Sequence, residues 1–298
     1  MNPTVVMRSH NDAGVIRETL EKVRAQSLPC RLVNLDNAST DGTREIIQEY
    51  TDHLVEVPAG AYIPGRVLNL GMRESEGEFT VFLNSDCTPV DEFWLERLLE
   101  GFEGPEVAAV FGRQMPRPGC WLLHAKDTED TYGDGRRQAA WRHCFSMASS
   151  AIRRSVWERM PFDEELRYSE DIDWTWRARQ AGHRIVYAPE SRVFHSHNYN
   201  LRQFYRRHRG EGEAEARIFE WPVWERSFLR YSLLPFARQV LSDWRYCLPR
   251  LAFGSMAFSP ALRLAQMLGR RAGFRAGLAA GPRSLSPAPP RDSDRRAA

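Results

Sequence analysis

The chain has 298 residues, of which 42% are hydrophobic and 27% charged. That is the balance of a soluble globular protein with one principal domain and an appendage, and it excludes wholesale disorder. From Trp221 onward thirteen arginines face four acids, a surplus of nine that the remainder offsets with −7 to leave a net +2; because the basic part is local and almost purely arginine, nucleic acid is excluded as a partner.

The elements follow in chain order. Val5 to Arg8 reads as a strand, followed by Asn11, Asp12 and Gly14 and then a helix with Ile16, Leu20 and Val23 on one face. Arg31 to Leu35 is the next strand, and "DNASTDGTREIIQEY" places Ser39, Thr40 and Asp41 as N-cap candidates for a helix carrying Ile46, Ile47 and Tyr50. Leu54 to Val57 forms a third strand and Pro64 opens a helix through Val67, Leu68 and Leu70. Phe79 to Leu83 is a fourth strand, followed by a helix with Phe93, Trp94, Leu98 and Leu99, and Val107 to Phe111 is a fifth. This alternation predicts an α/β fold with a mostly parallel sheet covered by helices on both faces.

Residues 112 to 200 are less periodic, with a helix predicted over 171–181, Gly182 as its C′ residue, a strand over 184–187 and a further one over 193–195. Beyond Trp221 come basic, aromatic helices interrupted by Pro235, Pro249 and Pro260, and from Gly281 a Pro, Ser, Ala and Arg tail that reads as disordered. The domains expected are 1–221, 222–280 and 281–298. Five scattered cysteines without C-x-x-C spacing argue against a disulfide framework and a zinc site, and imply a reducing compartment. The N-terminus lacks a signal-peptide core and no stretch offers the roughly 18 apolar residues of a membrane span. A cytoplasmic protein is expected, with the region containing Trp221, Trp224, Phe228, Tyr231, Phe236 and Trp244 either lying on the inner face of the membrane or packed on the main domain.

In an open α/β sheet, ligands bind outside the carboxyl ends of the strands, where Asp12, Asp36 and Asp86 all fall. Asp86, in the Asn84-Ser85-Asp86 turn, suits a divalent cation that shares its coordination with a diphosphate; the alternative is a simple Asx turn before Pro89. Asp36 lies too far upstream to cap the helix after it and can accept a hydrogen bond from a base edge. Arg66 can contact phosphate or remain solvated. Glu170, Asp171 and Asp173 crowd one helix start, where mutual repulsion and partial burial raise a carboxyl pKa and suit a general base. Glu170 and Asp171 are expected to face a pocket, with Asp173 turned away. His195 and His197, at i and i+2, share one face of a strand and are either metal ligands or a plain histidine pair.

Taken in order, "VVMRSHNDAGVIRETLE", "NLDNASTDGT", "GRVLNLGMRESEGEFTVFLNSDCTP", "SEDIDW" and "VFHSH" resemble the family 2 glycosyltransferases with a GT-A fold. "FGRQMPRPG", "SSAIRRSVW" and "VFHSHNYNLRQFY" look like the rhamnosyltransferase branch, and the likeness covers about residues 3 to 215. The resemblance implies inverting transfer of a sugar from a nucleoside diphosphate donor to a glycan or lipid-linked acceptor, with Mn²⁺ or Mg²⁺. It implies Asp86 as the metal acid, His195 as a further metal contact with His197 beside it, and Asp171 as the base with Glu170 its rival. Ser9, Asn11, Asp12, Asp36, Arg66, Asn84 and Ser85 would hold the nucleotide sugar. Asn84 departs from the pattern, standing where the first acid of D-x-D is usual. The competing readings are a sugar nucleotidyltransferase, for which no Gly-, Arg- and Lys-rich signature is present, and a degenerate nucleotide-sugar-binding module, which Asn84 favours.

Overall fold

The computed structural model describes residues 2–136, 143–219 and 227–280. The expected boundary at 221/222, Trp221, Trp224 and the tail at 281–298 lie outside them. Four strands, β1 (Thr4–Ser9), β2 (Arg31–Asp36), β3 (His53–Glu56) and β4 (Phe79–Asn84), run parallel, with helices α1 (Ile16–Arg24), α2 (Thr43–Gln48) and α3 (Pro64–Glu74) between them. There follow β5 (Thr88–Pro89), α4 (Trp94–Glu100), β6 (Val107–Met115), α5 (Leu122–Thr131), β7 (Ser149–Arg153), α6 (Arg154–Arg159), α7 (Glu170–Gln180) and β8 (Arg184–Phe194). Three long helices close the chain: α8 (Leu201–Ile218), α9 (Leu234–Cys247) and α10 (Phe253–Ala279).

All eight strands form one sheet in the order β3-β2-β1-β4-β7-β6-β8-β5. Its strands alternate their side chains between two cores: Val6, Phe82 and Val33 point to one, Val5, Met7, Val81 and Leu83 to the other. Burial on both faces is what makes these strands read as continuous apolar runs.

Several expectations are corrected. The sheet is mixed rather than purely parallel: four of its seven pairings are parallel as expected, but β7 enters between β4 and β6 and runs antiparallel to both. Its sequence, SSAIR, is wholly buried yet lacks an apolar alternation, so nothing in the pattern announced it. The two strands expected at 184–187 and 193–195 are one, carried through Pro189 to Ser191 by an irregular register against β6 at Gly112/Arg113. The N-cap of α2 is Gly42, at φ +95°, and not a hydroxyl or acid. Ser39 turns back to Asp36 instead, while Asp41 accepts hydrogen bonds from the Thr43 N–H and hydroxyl and from the Ala13 N–H. Gly182 behaves as expected: at φ +92° it ends α7 in a Schellman motif, with Gly182 N–H bonded to Arg179 O and His183 N–H to Ala178 O.

The C-terminal helix α10 packs along α8, inside the range first assigned to the main domain, and α9 packs on α10. A Cβ on Gly273 would stand 1.8 Å from the Arg209 carbonyl oxygen, and one on Gly269 2.4 Å from that of Tyr205, so the helix backbones touch. The hairpin of α9 and α10 is tied to α5 by Arg263, whose guanidinium bridges Asp243 (2.7 and 2.8 Å) and Asp127 (2.7 and 2.8 Å). Removing one member of such a buried set leaves an uncompensated charge and costs about 3–5 kcal/mol.

Candidate active site

Strand register sets the first half of the site. Ser9 pairs with Asp36 across β1 and β2, and Arg8 with Asn84 across β1 and β4, so the ends of three strands present their side chains side by side. Asp36 is buried; its Oδ1 accepts from the hydroxyls of Ser9 (3.0 Å) and Ser39 (2.6 Å), and its Oδ2 from the Ser39 N–H (3.0 Å). The network continues through Asn11, at φ +55°, whose Oδ1 accepts from the Thr40 N–H at 2.8 Å. Asp12 joins it by accepting a short hydrogen bond from the Ser85 hydroxyl. Strained backbone held by several side chains is common where a ligand must be clamped.

Asp86 follows β4 in a turn closed by the backbone bond from Cys87 N–H to Asn84 O at 2.9 Å, not by its own carboxylate. The two residues of β5 then pair with the end of β8, Thr88 opposite Phe194, which carries the turn to the histidines. The Asp86 Oδ2 stands 3.5 Å from His195 Nε2 and 3.6 Å from His197 Nε2. Arg117 secures the turn by donating to the Asp86 backbone oxygen (2.9 Å) and the Thr88 hydroxyl (2.6 Å).

Gln114 decides the state of His195. Its Nε2 donates to the Ser146 hydroxyl at 2.8 Å, so its Oε1 faces His195 Nδ1 at 2.6 Å and that bond is completed by an Nδ1–H. In the neutral imidazole the Nε2 of His195 then carries the lone pair; this atom is buried and has no hydrogen-bond partner. Burial first, and then His195, hold His197 down at about 4. Burial works to raise Asp86, but a hydrogen bond from His195 and the positive charge that His195 and His197 carry when protonated outweigh it, and the carboxyl sits at about 2. Asp86, Cys87 and His195 present ligand atoms within 4.8 Å of one another, His197 Nε2 stands 3.6 Å from Asp86, and His195 is oriented from behind by an amide, a set of donors that fits a divalent cation. Cys87 Sγ lies 3.8 Å from Asp86 Oδ1, but burial followed by the Asp86 charge pushes its thiol well above the ordinary range, so it remains protonated and packs in the core.

The opposite wall is the first turn of α7. Glu170 and Asp171 line the same cavity of about 1530 Å³ as Asn84, His195 and His197. Burial, then the Asp171 charge, push Glu170 up to about 7 against the pull of Arg8, 3.9 Å away. Asp171 is also raised, by burial; its Oδ2 accepts from the Met147 N–H at 3.1 Å and its Oδ1 from the Ile172 N–H at 2.8 Å. Asp173 turns away and pairs with Arg177 at 2.9 Å.

Arg66 is not brought to this site. Pro64 lines the cavity, and two residues on, about 200° around the helix, Arg66 points elsewhere and pairs with Glu164 at 3.6 Å. Arg8, Gln114 and Arg117 are the site residues that sequence reasoning missed. Arg8 donates to Asn84 Oδ1 at 2.7 Å, which occupies the side chain that replaces the first acid of D-x-D. The available signal was a charge and a glutamine, each interrupting an otherwise buried strand.

Residues 4–160 match the sequence profile described as Glycosyl transferase family 2. An O-antigen chain rhamnosyltransferase of Salmonella anatum is 32% identical over 199 residues, 63% of this chain and 63% of its own. A second, from Salmonella typhimurium, is 25% identical over 229 residues, 72% of this chain and 73% of its own. The match therefore spans less than two thirds of the first relative. Among solved structures, a mannosyltransferase from Pyrobaculum calidifontis in complex with GDP-Man and Mn²⁺ superposes with a TM-score of 0.64 at 19% identity, over 94% of this chain and 88% of its own. Glucosyl-3-phosphoglycerate synthase from Mycobacterium tuberculosis, in complex with Mn²⁺, UDP and phosphoglyceric acid, gives 0.55 at 17% identity, over 74% of this chain and 80% of its own. At such identities the likeness is one of fold, the α/β GT-A arrangement.

Proposed function

The chain belongs to glycosyl transferase family 2, and on that premise we propose that it is an inverting, metal-dependent glycosyltransferase acting on a nucleoside diphosphate sugar. The observation that carries this reading is one cavity lined both by His195 and His197, which stand 3.5 and 3.6 Å from the Asp86 carboxylate, and by the raised carboxyls of Glu170 and Asp171. Asp86, His195 and His197 would hold Mn²⁺ or Mg²⁺, which when bound neutralises charge on a departing diphosphate; two imidazoles favour Mn²⁺ of the pair. Ser9, Asn11, Asp12, Asp36, Asn84 and Ser85 form the adjoining rim assigned to the nucleotide. Each carboxylate oxygen can accept two hydrogen bonds, so the Asp36 Oδ2 retains capacity for a base-edge N–H.

Asp171 is assigned the base. Its two backbone hydrogen bonds fix the carboxylate in place, and its raised pKa suits removal of a proton from an acceptor hydroxyl. The oxygen so freed attacks the anomeric carbon from the face opposite the diphosphate, which inverts the configuration without a covalent enzyme intermediate. Glu170 is the rival base. The names of the two Salmonella relatives support rhamnose as the sugar and a glycan or lipid-linked chain as the acceptor.

The test is a thermal-shift panel of nucleotide sugars with and without Mn²⁺, since a ligand that binds only the native state raises the melting temperature. dTDP-rhamnose is the first donor to examine. A donor shift that depends on Mn²⁺ and disappears in Asp86→Ala is expected; an unchanged shift in that variant overturns the metal assignment. Asn84 favours a second reading, a binding module without turnover. Release of free nucleoside diphosphate in the presence of acceptor would exclude it.

A further inference from the structure

The hairpin of α9 and α10 has two unlike sides. Arg238, Gln239 and Ser242 of α9, with Arg263 and Gln266 of α10, line the cavity. On the other side Leu234, Ala237, Leu241, Trp244 and Leu248 recur at intervals of three and four and are all exposed, one continuous stripe down the helix. Phe258, Leu264 and Leu268 of α10 are exposed as well. Among the described residues, thirteen of the seventeen exposed large hydrophobic side chains lie within 227–280, so this surface is concentrated and not the scatter normal for a soluble face.

The turn joining the helices is the most exposed part. Leu251 is 72% accessible and Phe253 62%. Leu251 also sits at φ +52°, where glycine or asparagine is the favoured choice. A leucine kept in a strained backbone and pointed at solvent gains nothing in folding. It gains if the side chain leaves water on binding.

Charge tells what covers the surface. The described residues 227–280 contain eight arginines and one acid, Asp243, which is fully buried and held by Arg263. Every exposed ionised side chain on the hairpin is therefore positive. Arg245 and Arg250 border the apolar stripe, and Arg250 lies over the Tyr246 ring at 3.8 Å. A second copy of the chain would set such a face against its own like charges. No helix among the described residues is long and apolar enough to cross a membrane.

We infer that the outer face of the α9–α10 hairpin is a docking surface for an anionic lipid bilayer, with Leu251 and Phe253 entering the acyl boundary and the arginines at the headgroups. Apolar burial and basic charge are each weak anchors, and surface binding of this kind takes both. The inner side of the same hairpin lines the cavity, so docking would bring the cavity beside the membrane. Binding is read without any sugar donor, so its failure is separate from failure of the transferase reading.

The test is co-sedimentation of the full chain with vesicles rich in phosphatidylglycerol and with vesicles of phosphatidylcholine alone. Binding to the first, weakened by high salt, and little binding to the second are expected. Leu251→Asp with Phe253→Asp, and separately Arg245→Glu with Arg250→Glu, should each weaken binding roughly tenfold or more. All four side chains are exposed, so the melting temperature should stay unchanged and show that the variants fold. The inference fails if the native chain remains in the supernatant or if both double variants bind as well as it does. It also fails if analytical ultracentrifugation finds a concentration-dependent dimer that Leu251→Asp disperses, which would assign the face to a second copy.

Discussion

The turn behind His195 and His197 and the start of α7 carry the same functional group under opposite conditions. Asp86 is held down at about 2, because its burial is outweighed by the hydrogen bond from His195 and the positive charge that His195 and His197, within 3.6 Å, carry when protonated. Glu170 is pushed up to about 7, because burial and the Asp171 charge outweigh an arginine 3.9 Å away. Residue type thus fixes neither role. What faces each carboxyl does, and separating the two environments lets one carboxyl hold charge while the other exchanges protons.

The harshest way to break this contrast is to remove the proton acceptor. Asp171→Asn should lower kcat by about 10²–10⁴ while leaving the donor-induced melting shift intact. If Glu170→Gln produces that loss and Asp171→Asn does not, the base assignment passes to Glu170. On the other side, Asp86→Ala should cost about 10³ in transfer rate and abolish the Mn²⁺ dependence of donor binding. Retention of that dependence would show that the histidines bind the ion without it.

The contrast also has a sign in stability. Glu170 binds its proton more tightly folded, at about 7, than unfolded, at 4.5, so its contribution is present below 4.5 and is lost as pH rises through 7. The loss is on the order of 3 kcal/mol. Denaturant melts across that window should show stability falling with pH, and Glu170→Gln should flatten the slope; an equal slope in the variant would place the titration elsewhere. A smaller effect is expected behind the metal wall. Gln114→Ala frees the His195 tautomer and should weaken Mn²⁺ binding by about 10–100-fold, read by calorimetry without any sugar. Smallest of all, Arg66→Ala should leave donor affinity unchanged and alter stability by at most about 0.5 kcal/mol, since its pair with Glu164 is exposed.

The readable parts of the site were those close to a strand end. Asp12, Asp36 and Asp86 each follow a short apolar run, and the helix start at Glu170 follows from a cluster of acids before Trp174 and Trp176. Hidden from the sequence were residues whose meaning depends on a distant partner. Arg8 acts on Asn84, 76 residues away, and Gln114 on His195, 81 residues away. Ser39 looked like a helix cap, and became a donor to Asp36 because Gly42 takes the cap position. The strand β7 was silent because small buried side chains carry no alternation.

By itself the sequence determined the α/β alternation, the rim on which the acids stand, and the basic, acid-poor character of the C-terminal region, since periodicity and composition are local properties of the chain. Only the tertiary structure decided that β7 runs against its neighbours, that β5 draws Asp86 onto His195 and His197, that Arg66 leaves the cavity, and which side of the C-terminal hairpin faces water. Each of these depends on contacts between segments far apart in the chain, where register and packing, and not residue type, set the distance between two groups.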